Sequence, residues 1–208
     1  MKTDRTEIGA IKRHFRKNDP AIYAVIKRME LPKLRTEKRT DKYFLKLCQD
    51  IVAQQLGSKA ADAIIKRFLN MLSDIPTPEK VLKVSEEEFR AIGMSYAKAR
   101  YVRNLAESVL KGEVGLKRLP KMEDGEVIAE LTKVKGIGRW TAEMFLIFTL
   151  GREDVFSFGD LGLRRGLEKV YGKNRVRSQK SAEKITSRWA PYRSYGSLAL
   201  WRVLDNRE

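Results

Sequence analysis

Apolar residues along this chain recur at three- and four-residue intervals, and no stretch of strict alternation lasts more than a few positions, so the pattern predicts helices throughout. From Asp41 to Leu56, Phe44, Leu47, Cys48, Ile51 and Val52 fall at i, i+3, i+4, i+7 and i+8, which is one apolar stripe. Gly57-Ser58 breaks and recaps the chain, and Ala61, Ile64, Ile65, Phe68 and Leu72 form the buried face of the next helix. Caps mark other starts. Asp19-Pro20 opens a helix through Met29 that Leu31-Pro32 stops, Thr77-Pro78 opens a short one, Ser85 to Glu88 has the form of a capping box, and Ser95 caps a helix running to about Lys111. Further helices are expected over 127–133, 141–150, 160–171, 178–189 and 194–206. The expectation is an all-α protein of about ten short helices, a single unit over 1–208 built as two lobes. One lobe covers 41–172 with a hairpin at 131–144, and the other combines 1–40 with 173–208.

Composition adds a partner to this picture. Forty-three Lys and Arg against 27 Asp and Glu give a net charge of +16 and a pI of 10.0, more positive charge than solubility requires, which points to a polyanion. The excess is uneven: +8 over residues 1–46, +6 over 173–208 and only +2 between them. A single cysteine, Cys48, excludes a disulfide framework, a cysteine zinc site and a four-cysteine iron–sulfur cluster. It fits a reducing compartment, cytoplasmic and nucleoid-associated or nuclear. No apolar run suits a membrane span, and the N-terminus lacks the apolar segment of a secretory signal.

The stretch Leu131-Thr-Lys-Val-Lys-Gly-Ile-Gly-Arg-Trp-Thr-Ala-Glu-Met144 joins two helices through a turn containing Gly136 and Gly138. Such a turn aims backbone N–H groups from the start of the second helix at an anion, and a DNA phosphate suits it. Taken alone, a Gly-x-Gly corner is equally explained as relief of crowding between helices.

Longer motifs decide between these. Val134-Lys-Gly-Ile-Gly-Arg-Trp-Thr-Ala142 resembles the helix–hairpin–helix of the DNA glycosylase superfamily that carries a Gly/Pro-rich loop and a catalytic aspartate (HhH-GPD). Twenty residues beyond Trp140, Asp154-Val-Phe-Ser-Phe-Gly-Asp160 resembles the segment bearing that aspartate. Ile51-Val-Ala-Gln-Gln-Leu-Gly-Ser-Lys-Ala-Ala61 and Ile92-Gly-Met-Ser-Tyr-Ala-Lys-Ala-Arg-Tyr101 resemble two upstream family segments. The whole is most similar to the 3-methyladenine DNA glycosylase II, or alkyladenine DNA glycosylase, branch. Lys135 stands where many relatives have proline, and 208 residues leave no room for the extra N-terminal β domain of larger members, so the chain resembles the compact form.

The resemblance implies hydrolysis of the N-glycosidic bond of alkylated purines of the 3-methyladenine and 7-methylguanine type, flipped out of duplex DNA for base excision repair. Asp160 takes the catalytic role, although an aspartate there also suits the N-cap of the following helix. Trp140 occupies the position where related bifunctional enzymes carry a lysine; an indole forms no Schiff base, so the enzyme is expected to be monofunctional. Gln54 or Gln55, with Gln55 favoured, fills the gap left in the duplex, unless both amides only bridge their helices. The base pocket is expected from Trp140, Tyr192, Met144 and Tyr96, while Trp189, Tyr195 and Trp201 are assigned to the core and His14 to the surface or core. Phosphate contacts fall to Lys135, Gly136, Ile137, Gly138, Arg139, Thr141 and Ser58. No cofactor and no side-chain metal site are expected; a monovalent cation belongs at the hairpin carbonyls of Val134 to Gly138. The partner is double-stranded DNA containing damaged bases, bound by a monomer with no membrane association. Two alternatives remain: a non-catalytic helix–hairpin–helix protein binding distorted or branched DNA, and a glycosylase for another lesion such as hypoxanthine, uracil or oxidised guanine.

Overall fold

The computed structural model describes residues 2–205, and only the backbone of residues 2–6 and 58. Among the described residues are twelve α-helices, three short 3-10 turns and no strand. The helices are α1 (Lys2–Asn18), α2 (Pro20–Ile26), α3 (Lys42–Ala53), α4 (Ser58–Met71), α5 (Pro78–Lys83), α6 (Glu86–Ala91), α7 (Tyr96–Leu110), α8 (Asp124–Leu131), α9 (Arg139–Phe148), α10 (Leu161–Tyr171), α11 (Gln179–Thr186) and α12 (Arg193–Asp205). The all-α expectation holds. Most starts follow the caps read from sequence: Thr77, Ser85, Ser95 and Asp160 each accept a hydrogen bond from a first-turn N–H, and Ser85 closes a full capping box with Glu88. Ends are less legible. The stripe that suggested a helix to Leu56 stops at Ala53, because Gln54 leaves the helical region at ψ 132°. Asn206, the expected end of the last helix, lies outside the described residues.

The chain forms two compact units, one over 36–150 and the other over 1–35 plus 151–208. The second boundary expected from sequence, at 172/173, thus moves to 150/151. Its physical cause is packing: Phe156, Leu163 and Leu167 join Ile11, Phe15, Ile22, Trp189, Tyr195 and Leu200 in the core of the terminal unit. There α10 runs so close to α12 that a Cβ at Gly166 would sit 2.9 Å from the Leu200 carbonyl oxygen. The N-cap Asp19, almost fully buried, accepts bonds from the Tyr171 hydroxyl (2.8 Å) and the Trp189 indole (2.9 Å) and pairs with Arg188 (3.0 Å). Burial of that carboxylate is offset by these three donors together with the Ile22 N–H that it caps.

The hairpin unit is a continuous insertion whose two ends are tied together. Glu37 N–H donates to the Thr149 carbonyl (2.8 Å) and the Thr36 hydroxyl to the Leu150 carbonyl (2.7 Å). Its core gathers Leu47, Ile51, Val102 and Leu105, with Tyr43 edge-on to Phe145 at 5.5 Å and Phe68 stacked on Phe89 at 6.0 Å. This arrangement brings the end of α3 against the turn between α8 and α9.

Candidate active site

Val134 and Ile137, both buried, anchor the turn between α8 and α9 to the core. Between them Gly136 adopts φ +111°, and a Cβ there would overlap the Tyr101 ring at 2.2 Å, so only glycine fits. The hairpin carbonyls are held from three directions: Ile137 N–H donates to Val134 (3.0 Å), the Asn104 amide to Lys135 (3.2 Å) and the Gln54 amide to Gly136 (2.9 Å). Gly138, the N-cap of α9, has no side chain with which to cap the first-turn N–H groups. The helix dipole and these N–H groups favour an incoming anion. Lys135, Gly138 and Arg139 are exposed around this mouth, and the buried Glu143 carboxylate holds Arg139 Nε at 2.8 Å.

Several of the expected phosphate contacts change here. Ile137 is buried and offers an anion its backbone alone. Thr141 is 2% exposed and its Oγ1 accepts from the Gln54 amide at 3.1 Å, so its side chain belongs to the hairpin's own bracing. Ser58 is the first residue of α4, and its side chain lies outside the described residues. Lys133 is drawn to the buried Glu130 at 2.6 Å; that ammonium and the Gly115 N–H hold the Glu130 carboxyl below the usual carboxylate range, against the effect of burial.

The two adjacent glutamines part company. Gln54 spends both amide hydrogens on the hairpin, on Gly136 and Thr141, so it does not fit the wedge role considered for it. Gln55 is exposed and sits at φ +56°, a left-handed conformation that a residue with a Cβ adopts only when its surroundings impose it. Lys98, from the upstream motif, donates to the Val52 carbonyl at 2.8 Å and so caps the last turn of α3, with burial lowering the ammonium's pKa.

Along α9, residues 141–147 are buried, but Trp140 is 37% exposed and Phe148 56% exposed. With the buried Met144 between them they form an i, i+4, i+8 row on one face, an aromatic and thioether wall. Phe148 was missed because its spacing reads as core. Tyr96 is exposed at the start of α7, and the Arg90 guanidinium sits 5.1 Å from its ring centroid, so that ring already serves a cation of its own unit.

In the terminal unit, Asp160 is the N-cap of α10. Its Oδ1 accepts from the Leu163 N–H at 2.7 Å and from the Trp201 indole at 3.2 Å, and a Cβ at Gly162 would stand 3.0 Å from the same oxygen. Trp201, assigned to the core from sequence, packs against the core of this unit, and its indole also orients the aspartate. Trp189 and Tyr195 are fully buried, as expected. Tyr192 is half-buried and packs edge-on against His14 at 5.2 Å, so its ring contributes to the core of this unit. His14 bridges Asn18 and the Arg188 carbonyl, a structural role.

One titration in the hairpin unit is informative. Burial pushes the Asp50 carboxyl, one turn before Gln54 on α3, up to about 7, with Lys46 opposing. The folded pKa lies above the unfolded value of about 3.9, so the folded state holds this proton more tightly. Its contribution to stability is complete below about pH 4 and disappears as pH rises to about 7. Asp50→Asn is expected to raise the melting temperature at pH 8 by a margin that shrinks as pH falls toward 4. A margin independent of pH would show that ionisation of Asp50 is not its source. Burial also pushes the neighbouring Cys48 thiol up, away from reactive thiolate chemistry.

Among the described residues, no helix is long and apolar enough to cross a membrane, and no group of His, Cys, Asp and Glu side chains is placed to hold a metal ion. Residues 48–191 match the HhH-GPD superfamily base excision DNA repair protein family. The DNA-3-methyladenine glycosylase 1 of Schizosaccharomyces pombe is 35% identical over 160 residues, which cover 76% of this chain and 70% of that protein. The crystal structure of a DNA-3-methyladenine glycosidase from Bacillus halodurans has a TM-score of 0.77 at 36% identity, covering 94% of this chain and 89% of that one. The structure of a 3-methyladenine DNA glycosylase of S. pombe in complex with abasic DNA has a TM-score of 0.82 at 29% identity, covering 95% and 98%.

Proposed function

Since the chain belongs to the HhH-GPD superfamily of base excision DNA repair proteins, we propose that it is a monofunctional DNA glycosylase releasing alkylated purines of the 3-methyladenine and 7-methylguanine type from duplex DNA. The observation that carries this reading is Asp160, whose carboxylate is fixed at the mouth of α10 by a backbone and an indole donor. A protein that only bound distorted DNA would need Asp160 as the N-cap of α10 and nothing more, so the effect of Asp160→Asn on base release separates the two readings.

The reaction breaks the bond between the purine nitrogen and C1′ of the deoxyribose. The base leaves with the electron pair, water adds its oxygen to C1′, and the water's proton is lost. Positive charge develops on the sugar as the bond stretches, and a fixed carboxylate stabilises it without reorganising. Alkylation at a ring nitrogen leaves the purine electron-poor, which makes it a better leaving group and favours contact with an indole face such as that of Trp140. The target nucleotide must leave the stack, and Gln55, exposed on its turn, is the residue that fills the space. The open N-terminus of α9 takes a backbone phosphate, and the basic stretches 1–46 and 173–208 add sequence-independent attraction.

A monovalent cation fits this hairpin only as a shared guest. The carbonyls of Val134, Lys135 and Gly136 already accept protein hydrogen bonds, and that of Gly138 accepts from Ala142, so each would offer its second lone pair. Bound there, the ion would add positive charge beside the phosphate.

Monofunctional chemistry rests on two observations. Trp140 has no amine, and the nearby Lys133 ammonium is engaged with Glu130. Purified protein incubated with methylated duplex DNA is expected to release free 3-methyladenine and 7-methylguanine and to leave the strand intact at the abasic site. Borohydride added during turnover is expected to trap no covalent adduct. Absence of any released base defeats the glycosylase reading, and a trapped adduct defeats the monofunctional one.

A further inference from the structure

We infer that Gln54 is a positioning residue that couples the phosphate-binding hairpin to the Gln55 turn, so that capture of a phosphate by the hairpin sets where Gln55 enters the duplex. This deepens the glycosylase reading and rests on it for the base-release arm of the test alone.

The two segments are 82 residues apart in sequence, and the Gln54 side chain reaches between them. One amide nitrogen makes both bonds, 2.9 Å to the Gly136 carbonyl and 3.1 Å to Thr141 Oγ1. Gly136 stands two residues before the N-cap of α9, and Thr141 lies in that helix's first turn. The amide therefore grips the hairpin on both sides of its anion-binding mouth. On its other side, Gln54 is the residue at which α3 ends and Gln55 begins the left-handed turn. That conformation is disfavoured for a residue with a Cβ, and the neighbours of Gln55 hold it in place. Lys98 fixes the Val52 carbonyl before it, and the Gln54 side chain fixes the link itself. With both bonds made, the wedge turn and the hairpin move as one body. Without them, the hairpin still offers its N–H groups to a phosphate while Gln55 loses its register.

The prediction separates affinity from insertion. Gln54→Met keeps the length of the side chain and removes the donors. Two hydrogen bonds of ordinary strength correspond to about a ten- to hundredfold effect, expected in single-turnover base release at saturating protein. Affinity for undamaged duplex, which reports phosphate capture, is expected to change by less than about threefold. Insertion is read without chemistry by 2-aminopurine placed beside a tetrahydrofuran abasic analogue, bound by protein carrying Asp160→Asn. The fluorescence change seen with that protein is expected to fall by about half or more when Gln54→Met is added. Gln55→Ala is expected to produce the same loss, and the double variant to be no slower than Gln55→Ala alone, because a residue acting through another contributes nothing once the other is gone.

Additive losses in the double variant would overturn the coupling. So would a fall in affinity for undamaged duplex as large as the fall in rate, since Gln54 would then serve hairpin structure alone. A neutral Gln55→Ala beside a damaging Gln54→Met would make Gln54 itself the wedge and overturn the proposal as well. Should Gln54→Met not fold, Thr141→Val removes one of the two bonds while keeping shape and charge, and is expected to show the same separation at about three- to tenfold in rate. If no base is released by any variant while the fluorescence pattern holds, the glycosylase reading fails and the coupling stands.

Discussion

Asp160→Asn is expected to slow single-turnover release of an alkylated purine by about 10²–10³-fold, the scale of losing one preorganised electrostatic partner of the transition state. The substitution is informative because of what it leaves in place. Asn caps helices as well as Asp does, and its Oδ1 still accepts from the Leu163 N–H and the Trp201 indole. The cap of α10 and the Oδ1 contacts are kept, while the negative charge goes and the second oxygen becomes an NH2 donor. Melting temperature and affinity for abasic duplex are accordingly expected to remain close to wild type. An Asn variant that is equally fast would reduce Asp160 to a cap. Trp201→Phe makes the complementary change, keeping the charge while removing one orienting donor, and is expected to cost about tenfold in rate. A Trp201→Phe loss as large as that of Asp160→Asn would mean that packing of α12, rather than orientation of the carboxylate, is at stake.

What sequence could and could not show follows from the range of each interaction. Caps such as Ser85 and Asp160 act within three residues, so the residues that make them are adjacent in the string and the starts of α6 and α10 are legible. The hairpin motif is local too, and so is the absence of a lysine at Trp140. The assignments that moved depend on partners far along the chain. Nothing local distinguishes Gln54 from Gln55, because which amide meets Gly136 is decided by how α3 lies against α9. Thr141 reads as a phosphate ligand until Gln54 arrives, and the core reading of Trp201 holds without revealing that its indole hydrogen reaches Asp160, 41 residues before it. The unit boundary moved for the same reason. The stripe of Leu163 and Leu167 announces a buried face without saying which helices bury it.

Gly136 and Gly138 look equivalent in the string Lys-Gly-Ile-Gly-Arg, yet their substitution by alanine is expected to give opposite results for folding. At Gly136, alanine would have to hold φ +111° and place its Cβ 2.2 Å from the Tyr101 ring. Backbone strain there costs about 1–3 kcal/mol, and overpacking against the half-buried Tyr101 ring adds about the same again. Gly136→Ala is therefore expected to lose about 2–6 kcal/mol in denaturant unfolding and, where it folds, to bind duplex DNA poorly, since the shifted turn no longer presents the N-terminus of α9. Gly138 has φ −89° and ψ 173°, a conformation open to any residue, and a Cβ there meets nothing within 4 Å. Gly138→Ala is expected to cost under about 1 kcal/mol, the ordinary difference at an N-cap. Tyr101→Ala separates the two terms at Gly136. Combined with Gly136→Ala it removes the overlap and keeps the φ strain, so the double variant is expected to recover part of the stability that the Gly136 substitution loses relative to its own Tyr101→Ala parent. If Gly138→Ala unfolds the protein as readily as Gly136→Ala, the hairpin's demand for glycine does not arise from the Tyr101 contact and the positive φ.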